Sequence, residues 1–507
     1  MKKIISLIIA VLLLFLTACS RKNETVVVTP TATPSVEKTK EATQTDGLET
    51  NENADKLSNY TVDVTLVPEE KKLTVKENID YLNPSQEDLS EVYFNIVCDY
   101  FKNEGGGVTV NKVLFDENDS ELVNVKGTVF KAAPAAALGA GKRTNITFEY
   151  EVKIPEINNR FGYQDGYFNL GNFLITPAVF KEGEYAVLPY VDLGDAFYTD
   201  VANFNVKINV PDEYKIAACG SLNKDGVYHI NNARDFAFCA SDKYDVLEDN
   251  SGGVAIKVYS GGELKLAAKR ALQVAKNSLE LFSEKFGQYP YDTLSVVMNG
   301  LASGVGGMEY PTLIMVSPEI SADELSNMGL DFENDLDAVI ALLSQDKSVS
   351  HEVAHQWFYG IVGNDQINEP WLDEGFCRFC EFLYQKAYPP SQIEDIEAYE
   401  TETYLKFNVQ SVTGKGDSDM DFLPDETDLT KSLYEWGEGN AADYSGIYEK
   451  GAGLIYAIYE NLGEEAFFAA AKEYVLKFKY DFVTTETFKE FWLSKGDLSD
   501  IIEAYFK

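Results

Sequence analysis

The hydrophobic pattern of this chain changes period near residue 260, and that change constrains the fold more than any other feature. Before it the period is two. Tyr60, Val62, Val64 and Leu66 alternate with polar residues, as do Ile146, Phe148, Tyr150, Val152 and Ile154. Phe204, Val206, Ile208 and Val210 repeat the pattern until Pro211 closes it. Alternation of this kind fits strands with one buried face, and Gly, Asn, Asp and Pro lie between the runs. After the change, "GELKLAAKRALQVAKNSLELFSEKF" (262–286) has helical spacing, with Leu264, Ala267, Ala268, Leu272 and Val274 among its apolar positions. Two strand-like runs follow, "LSVVMN" and "TLIMVS". Helices are then expected around 337–360, 372–387, 445–462, 464–478 and 485–494, with Thr484 or Thr485 capping the last. The expected fold class is multidomain α+β: an antiparallel β domain over 57–245, then a mainly helical domain over 246–507.

The chain is long enough for two or more domains, at 507 residues, and its 45% hydrophobic and 13% aromatic content supplies material for packed cores. A net charge of −39 repels phosphate backbones, so nucleic acid is excluded as a partner. Lys2 and Lys3 precede an apolar run, Ile4–Leu16, that is short for a membrane span. The run ends in Leu16-Thr17-Ala18-Cys19, which resembles a bacterial lipoprotein signal. The resemblance implies a signal peptide over 1–18, a lipid on Cys19 and a membrane-anchored location facing away from the cytoplasm. Residues 19–56 are rich in Thr, Glu, Lys and Asn and nearly free of aromatics, a composition that cannot offset its ordering entropy. They read as a disordered tether with a reach of roughly 30–40 Å. Cys377 and Cys380 are spaced C-x-x-C without a second such pair. They read as small core residues on a helix, with a redox pair as the alternative.

The chemistry concentrates in "SVSHEVAHQWFYG", which holds two of the three histidines. His351 and His355 lie four apart, hence on one helix face, where two imidazoles can meet one ion. Glu352 points to an adjacent side, where it can act on a metal-bound water. That is the physical content of H-E-x-x-H. Zinc then requires a third protein ligand. "NEPWLDEGFCRFCEFL" supplies Glu374, with eighteen residues between it and His355, and Trp371, Leu372 and Phe376 give the segment an apolar docking face. Asp365, Glu369 and Asp373 lie near, so spacing alone does not select Glu374.

"HEVAHQWFYG" followed by "WLDEGF" resembles the zinc aminopeptidases of the aminopeptidase N type, within the gluzincins. The resemblance covers about 57–507. It implies a thermolysin-like catalytic domain, one zinc ion on His351, His355 and Glu374, and Glu352 as general base. Trp357 and Trp371 also match, while Asp373 stands where Asn is more usual. "GVGGMEYP" looks like the family's G-x-M-E-N strand. By that likeness Gly307 and Met308 line the substrate cleft and Glu309 binds the free α-amine of a peptide; Tyr310 replaces the motif's Asn. "DYSGIYEKGAGLIY" resembles the family's Tyr-x-Lys-Gly helix, which implies that Tyr448 stabilises the oxyanion, with Tyr444 a weaker candidate. The family also supplies a glutamine to the amine site from its β domain; Gln164 is the nearest here. The large helical C-terminal domain of many members is expected to be missing, leaving a more open cleft. The function implied is removal of N-terminal residues from peptides. The alternatives are an endopeptidase with the same site and a lipid-anchored, non-catalytic peptide-binding protein. The sequence does not give the oligomeric state.

Overall fold

The computed structural model describes residues 56–302, 305–318, 336–388, 427–437, 440 and 444–506. The signal peptide, Cys19 and nearly all of the expected tether lie outside the described residues.

Alternation becomes sheet as the pattern requires. Ser58–Val67 pairs antiparallel with Lys72–Leu82, which pairs with Arg143–Lys153, and the sheet extends to eight strands. Tyr60, Val62, Val64 and Leu66 all point into the core, as do Leu73, Val75 and Ile79 opposite them. One pairing departs from the antiparallel expectation: Ser58–Val67 runs parallel to Ala202–Asn209. Those strands are far apart in sequence, and no hairpin links them to dictate direction. Two four-stranded sheets and a two-stranded ribbon, Phe180–Lys181 with Glu184–Tyr185, complete the described part of this half. A polar residue occupies one inward position. Glu77 is 0% exposed and accepts hydrogen bonds from the Tyr150 hydroxyl at 2.6 Å and the Ile175 amide at 3.1 Å.

The sheets change between Ser241 and Tyr244. A five-stranded sheet begins at Tyr244–Ser251 and continues through Val254–Gly261, Thr293–Val297 and Leu313–Val316 to an edge strand, Gly307–Met308. Helix α1 (Lys265–Phe286) packs on that sheet and on α2 (Leu336–Ala354). The remaining helices are α3 (Trp371–Ala387), the short α4 (Leu433–Trp436), α5 (Gly446–Leu462), α6 (Glu464–Phe478), α7 (Thr485–Leu493) and α8 (Ser499–Tyr505). Thr484 caps α7, its hydroxyl accepting from the Thr487 amide, while Thr485 accepts from the Trp371 indole at 3.0 Å. One apolar cluster runs through both halves of the described chain. No described helix is long and apolar enough to cross a membrane.

The helix bearing the histidines ends at Ala354, six residues earlier than its pattern suggests. The His355 amide still bonds to the His351 carbonyl at 3.2 Å, so the one-turn relation of the two rings survives. The chain then reverses through Tyr359, at φ +94°, with the Gly360 amide returning to the His355 carbonyl. A distant residue fixes that reversal. Arg234, fully buried, donates to the carbonyls of Tyr359 at 2.7 Å, Thr199 at 3.0 Å and Asp481 at 2.9 Å.

Candidate active site

Helix α2 delivers His351 and Glu352, and the turn after it delivers His355. Helix α3 crosses α2 and brings Glu374 from its first turn. The crossing is apolar: Phe358 and Phe376 stack with ring centroids 4.2 Å apart. The result places His351 Nε2 at 3.1 Å from His355 Nε2, and Glu374 Oε2 at 3.0 Å from the first and 3.5 Å from the second. The other ring nitrogens explain why these atoms face each other. His351 Nδ1 lies 2.9 Å from Glu381 Oε1, and His355 Nδ1 lies 3.1 Å from the Phe358 carbonyl oxygen. Both partners only accept, so both Nδ1 atoms carry the proton and both Nε2 atoms present lone pairs. Two lone pairs and a carboxylate oxygen therefore converge on one point, an arrangement that a cation satisfies. Tetrahedral zinc with bonds of about 2.1 Å would set its ligands about 3.4 Å apart, close to these spacings. The donor set fits zinc, and Glu381 is the outer carboxylate that orients such a histidine.

The remaining expected residues gather around this point. Glu352 is buried over the backbone of Gly307: a Cβ built on that glycine would lie 2.2 Å from Glu352 Oε1. Burial pushes the Glu352 carboxyl up to about 8, with the two imidazoles acting in the opposite direction. The Tyr448 hydroxyl donates to Glu374 Oε1 at 2.8 Å. It reaches there because α3 and α5 approach at two glycines, where a Cβ on Gly375 would stand 2.9 Å from the backbone of Gly451. Tyr444 instead packs its hydroxyl over Gly194. Arg378 pairs with Glu381 and also holds Glu449 Oε1 at 2.7 Å, joining α3 to the residue after Tyr448.

On its own, Glu309 would read as an exposed strand residue; the structure buries it to 3% exposure beside Met308. Burial, with Asp195 adding to it, pushes Glu309 up to about 7. The glutamine bonded to Glu309 is Gln366, at 2.8 Å, not Gln164, which pairs with Tyr167 on the strand Phe161–Gln164. Gln366 and Glu381 are site residues that sequence reasoning missed. Gln366 lies eleven residues beyond His355 in the "NDQINEP" turn, where no spacing rule marks it. Asp373 accepts from Asn364 and from Gln366, each at 2.8 Å, so a carboxylate rather than an amide suits this position. Tyr310 donates to Asn172, and its ring occupies the space where Gly171 has no side chain. Cys377 and Cys380 are free thiols buried within α3.

Residues 270–505 match the model described as the peptidase family M1 domain. That match falls within the helical half of the chain. Aminopeptidase M1-B of Oryza sativa is 28% identical over 253 residues, which is 48% of this chain and 26% of that protein. The mitochondrial aminopeptidase 2 of Saccharomyces cerevisiae is 27% identical over 321 residues, 61% of this chain and 29% of its own. The chain thus spans less than a third of these relatives. Among solved structures, the M1 zinc metallopeptidase of Deinococcus radiodurans superposes with a TM-score of 0.58 at 15% identity, covering 92% of this chain and 97% of that one. A second structure of that protein, bound to a Tyr-Ser-Ala substrate, has a TM-score of 0.57 at 16% identity, covering 92% and 98%. This likeness is one of fold: an N-terminal β domain followed by a mainly helical domain.

Proposed function

We propose that this chain is a zinc-dependent aminopeptidase that removes N-terminal residues from peptides. The observation that carries the reading is the convergence of His351 Nε2, His355 Nε2 and Glu374 Oε2 with both Nδ1 atoms already engaged. A single zinc ion, held by those three residues, would supply Lewis acidity to the scissile carbonyl and to the attacking water. Glu352 takes the proton from that water and returns it to the departing amine nitrogen. The Tyr448 hydroxyl, released from Glu374, donates to the developing oxyanion. Glu309, buried next to Gly307 and Met308, holds the α-ammonium and so fixes the first peptide bond over the metal. The tripeptide-bound Deinococcus structure shares this fold, which supports a peptide as substrate.

The test is a panel of aminoacyl-fluorogenic substrates with and without a chelator. Hydrolysis of free-amine substrates, lost on chelation and restored by zinc, is expected. Equal cleavage of N-acetylated peptides would favour an endopeptidase, and tight peptide binding without turnover would favour a non-catalytic receptor. The N-terminal reading belongs to the same proposal: a lipid on Cys19 anchors the protein to the outer face of the cytoplasmic membrane. Cys19→Ala should release it into the soluble fraction.

A further inference from the structure

In the proposed reaction the Tyr448 hydroxyl leaves Glu374 Oε1, where it rests at 2.8 Å, and donates to the oxyanion. The ring must keep its place while that bond is absent. We propose that Arg378 is a positioning residue for the reaction: through Glu449 its guanidinium locks the rotation of α5 and so keeps Tyr448 aimed at the metal site. This rests on Tyr448 as the oxyanion donor.

The guanidinium is planar and rigid, and it serves two helices at once. Its Nε and Nη2 atoms lie 3.0 Å and 2.7 Å from Glu449 Oε1, on α5. Its Nη1 atom donates to Glu381 Oε2, one turn further along α3. Glu381 fixes His351 through its other oxygen, which lies 2.9 Å from Nδ1. The Tyr448 ring stacks on the His351 ring, with centroids 6.0 Å apart and planes 30° apart. His351, Glu381, Arg378 and the Tyr448–Glu449 pair therefore form a closed circuit of contacts beside the converging ligand atoms.

Packing alone does not supply this control. Helices α3 and α5 approach backbone to backbone at Gly375 and Gly451. Such a contact sets their separation but resists rotation weakly, because no side chain enters a hole on the facing helix. A tyrosine hydroxyl stands roughly 8 Å from its helix axis, so a turn of about 10° moves it by about 1.4 Å. A misplacement of about 1 Å is enough to cost on the order of 10²-fold in rate. Glu374 and Arg378 lie one turn apart on α3 and grip adjacent residues of α5, which fixes its rotation. When the hydroxyl moves to the oxyanion, the Arg378–Glu449 pair still holds. The two side chains are only 23% and 20% exposed, so salt screens their attraction less than it would on the open surface.

A double-mutant cycle on the full chain, at saturating zinc and with one free-amine aminoacyl substrate, tests this. Glu449→Met removes the acceptor on α5 and leaves Arg378 its bond to Glu381. It should lower kcat about 10–100-fold and leave KM within about threefold, because the placement matters only in the transition state. Arg378→Met should do the same. In a Tyr448→Phe background either change should cost less than about twofold, since no hydroxyl remains to be aimed. The same fold-loss in both backgrounds overturns the proposal, because Arg378 then acts by a route that bypasses Tyr448. So does a wild-type kcat in Arg378→Met, which would confine the arginine to Glu381 and zinc affinity. Full kcat in Tyr448→Phe alone would instead overturn the oxyanion role on which the proposal rests. Should Arg378→Met not fold, Glu449→Met alone and combined with Tyr448→Phe decides, and an unchanged kcat in Glu449→Met contradicts the proposal.

Discussion

Glu352 and Glu381 are both buried carboxylates touching the same constellation, yet their removal should have opposite signatures. Glu352 lies over Gly307 and takes no part in the convergence of ligand atoms. Glu352→Gln should therefore retain zinc and lose peptide hydrolysis by at least the 10²–10⁴-fold typical of general acid–base catalysis. Zinc content per chain and kcat on one substrate check both halves. Glu381 meets His351 through Nδ1, on the far side from the metal. Its loss leaves the ring free to rotate and removes the acceptor that fixes its tautomer. Glu381→Ala should weaken zinc affinity by about 10–100-fold, read by competition with a chelator, while activity at saturating zinc recovers most of its wild-type value. The histidine pair and Glu352 were legible because H-E-x-x-H is local. Glu381 and Gln366 were not, because their roles depend on partners 30 and 57 residues away.

At the scale of elements, the crossing of α3 and α5 places Tyr448 on Glu374. Gly375 and Gly451 meet there with a closeness that admits no side chain. Gly375→Ala improves helix propensity by about 1 kcal/mol, but the new Cβ meets backbone, which cannot swing aside. Overpacking of this kind costs about 1–3 kcal/mol, so the clash wins and the transition temperature should fall. Activity should fall further than stability, by about 10²-fold, because the displaced helices carry Glu374 and Tyr448. A thermal melt and a kcat measurement on one preparation test this; an unchanged kcat would contradict the account. Helix bounds were largely readable: the pattern gave 464–478 and 485–494, and the structure has Glu464–Phe478 and Thr485–Leu493. The early end of α2 was not readable, because Arg234 fixes the reversal at Tyr359 through tertiary bonds. The parallel pairing of Ser58–Val67 with Ala202–Asn209 was hidden for the same reason, since alternation reports which face is buried and not which strand is the neighbour.

Across the whole molecule, one apolar cluster links the β half to the helical half, so stability is shared and a defect in the sheets should be felt globally. Glu77 tests this away from the active site. Burial pushes its carboxyl up to about 8, against the bonds from Tyr150 and Ile175 that favour the charged form. The unfolded chain holds that proton with a pKa of about 4.3, so between the two values the folded state binds more protons than the unfolded one. The contribution is fully present below about pH 4 and is lost as pH rises toward 8. Glu77→Gln stays neutral throughout and can still accept from Tyr150. The variant should match the wild type near pH 4 and exceed it increasingly up to about pH 8 in denaturant midpoint; a constant offset across that range would contradict the assignment.

The proposed zinc site draws on three side chains, from α2, the turn after it and α3, and leaves a coordination position open. Crystals grown with zinc and measured on both sides of its absorption edge test this most directly. The account predicts one anomalous peak per chain, about 2.0–2.2 Å from Nε2 of His351, Nε2 of His355 and a carboxylate oxygen of Glu374. A peak elsewhere, or none there at saturating zinc, would contradict it.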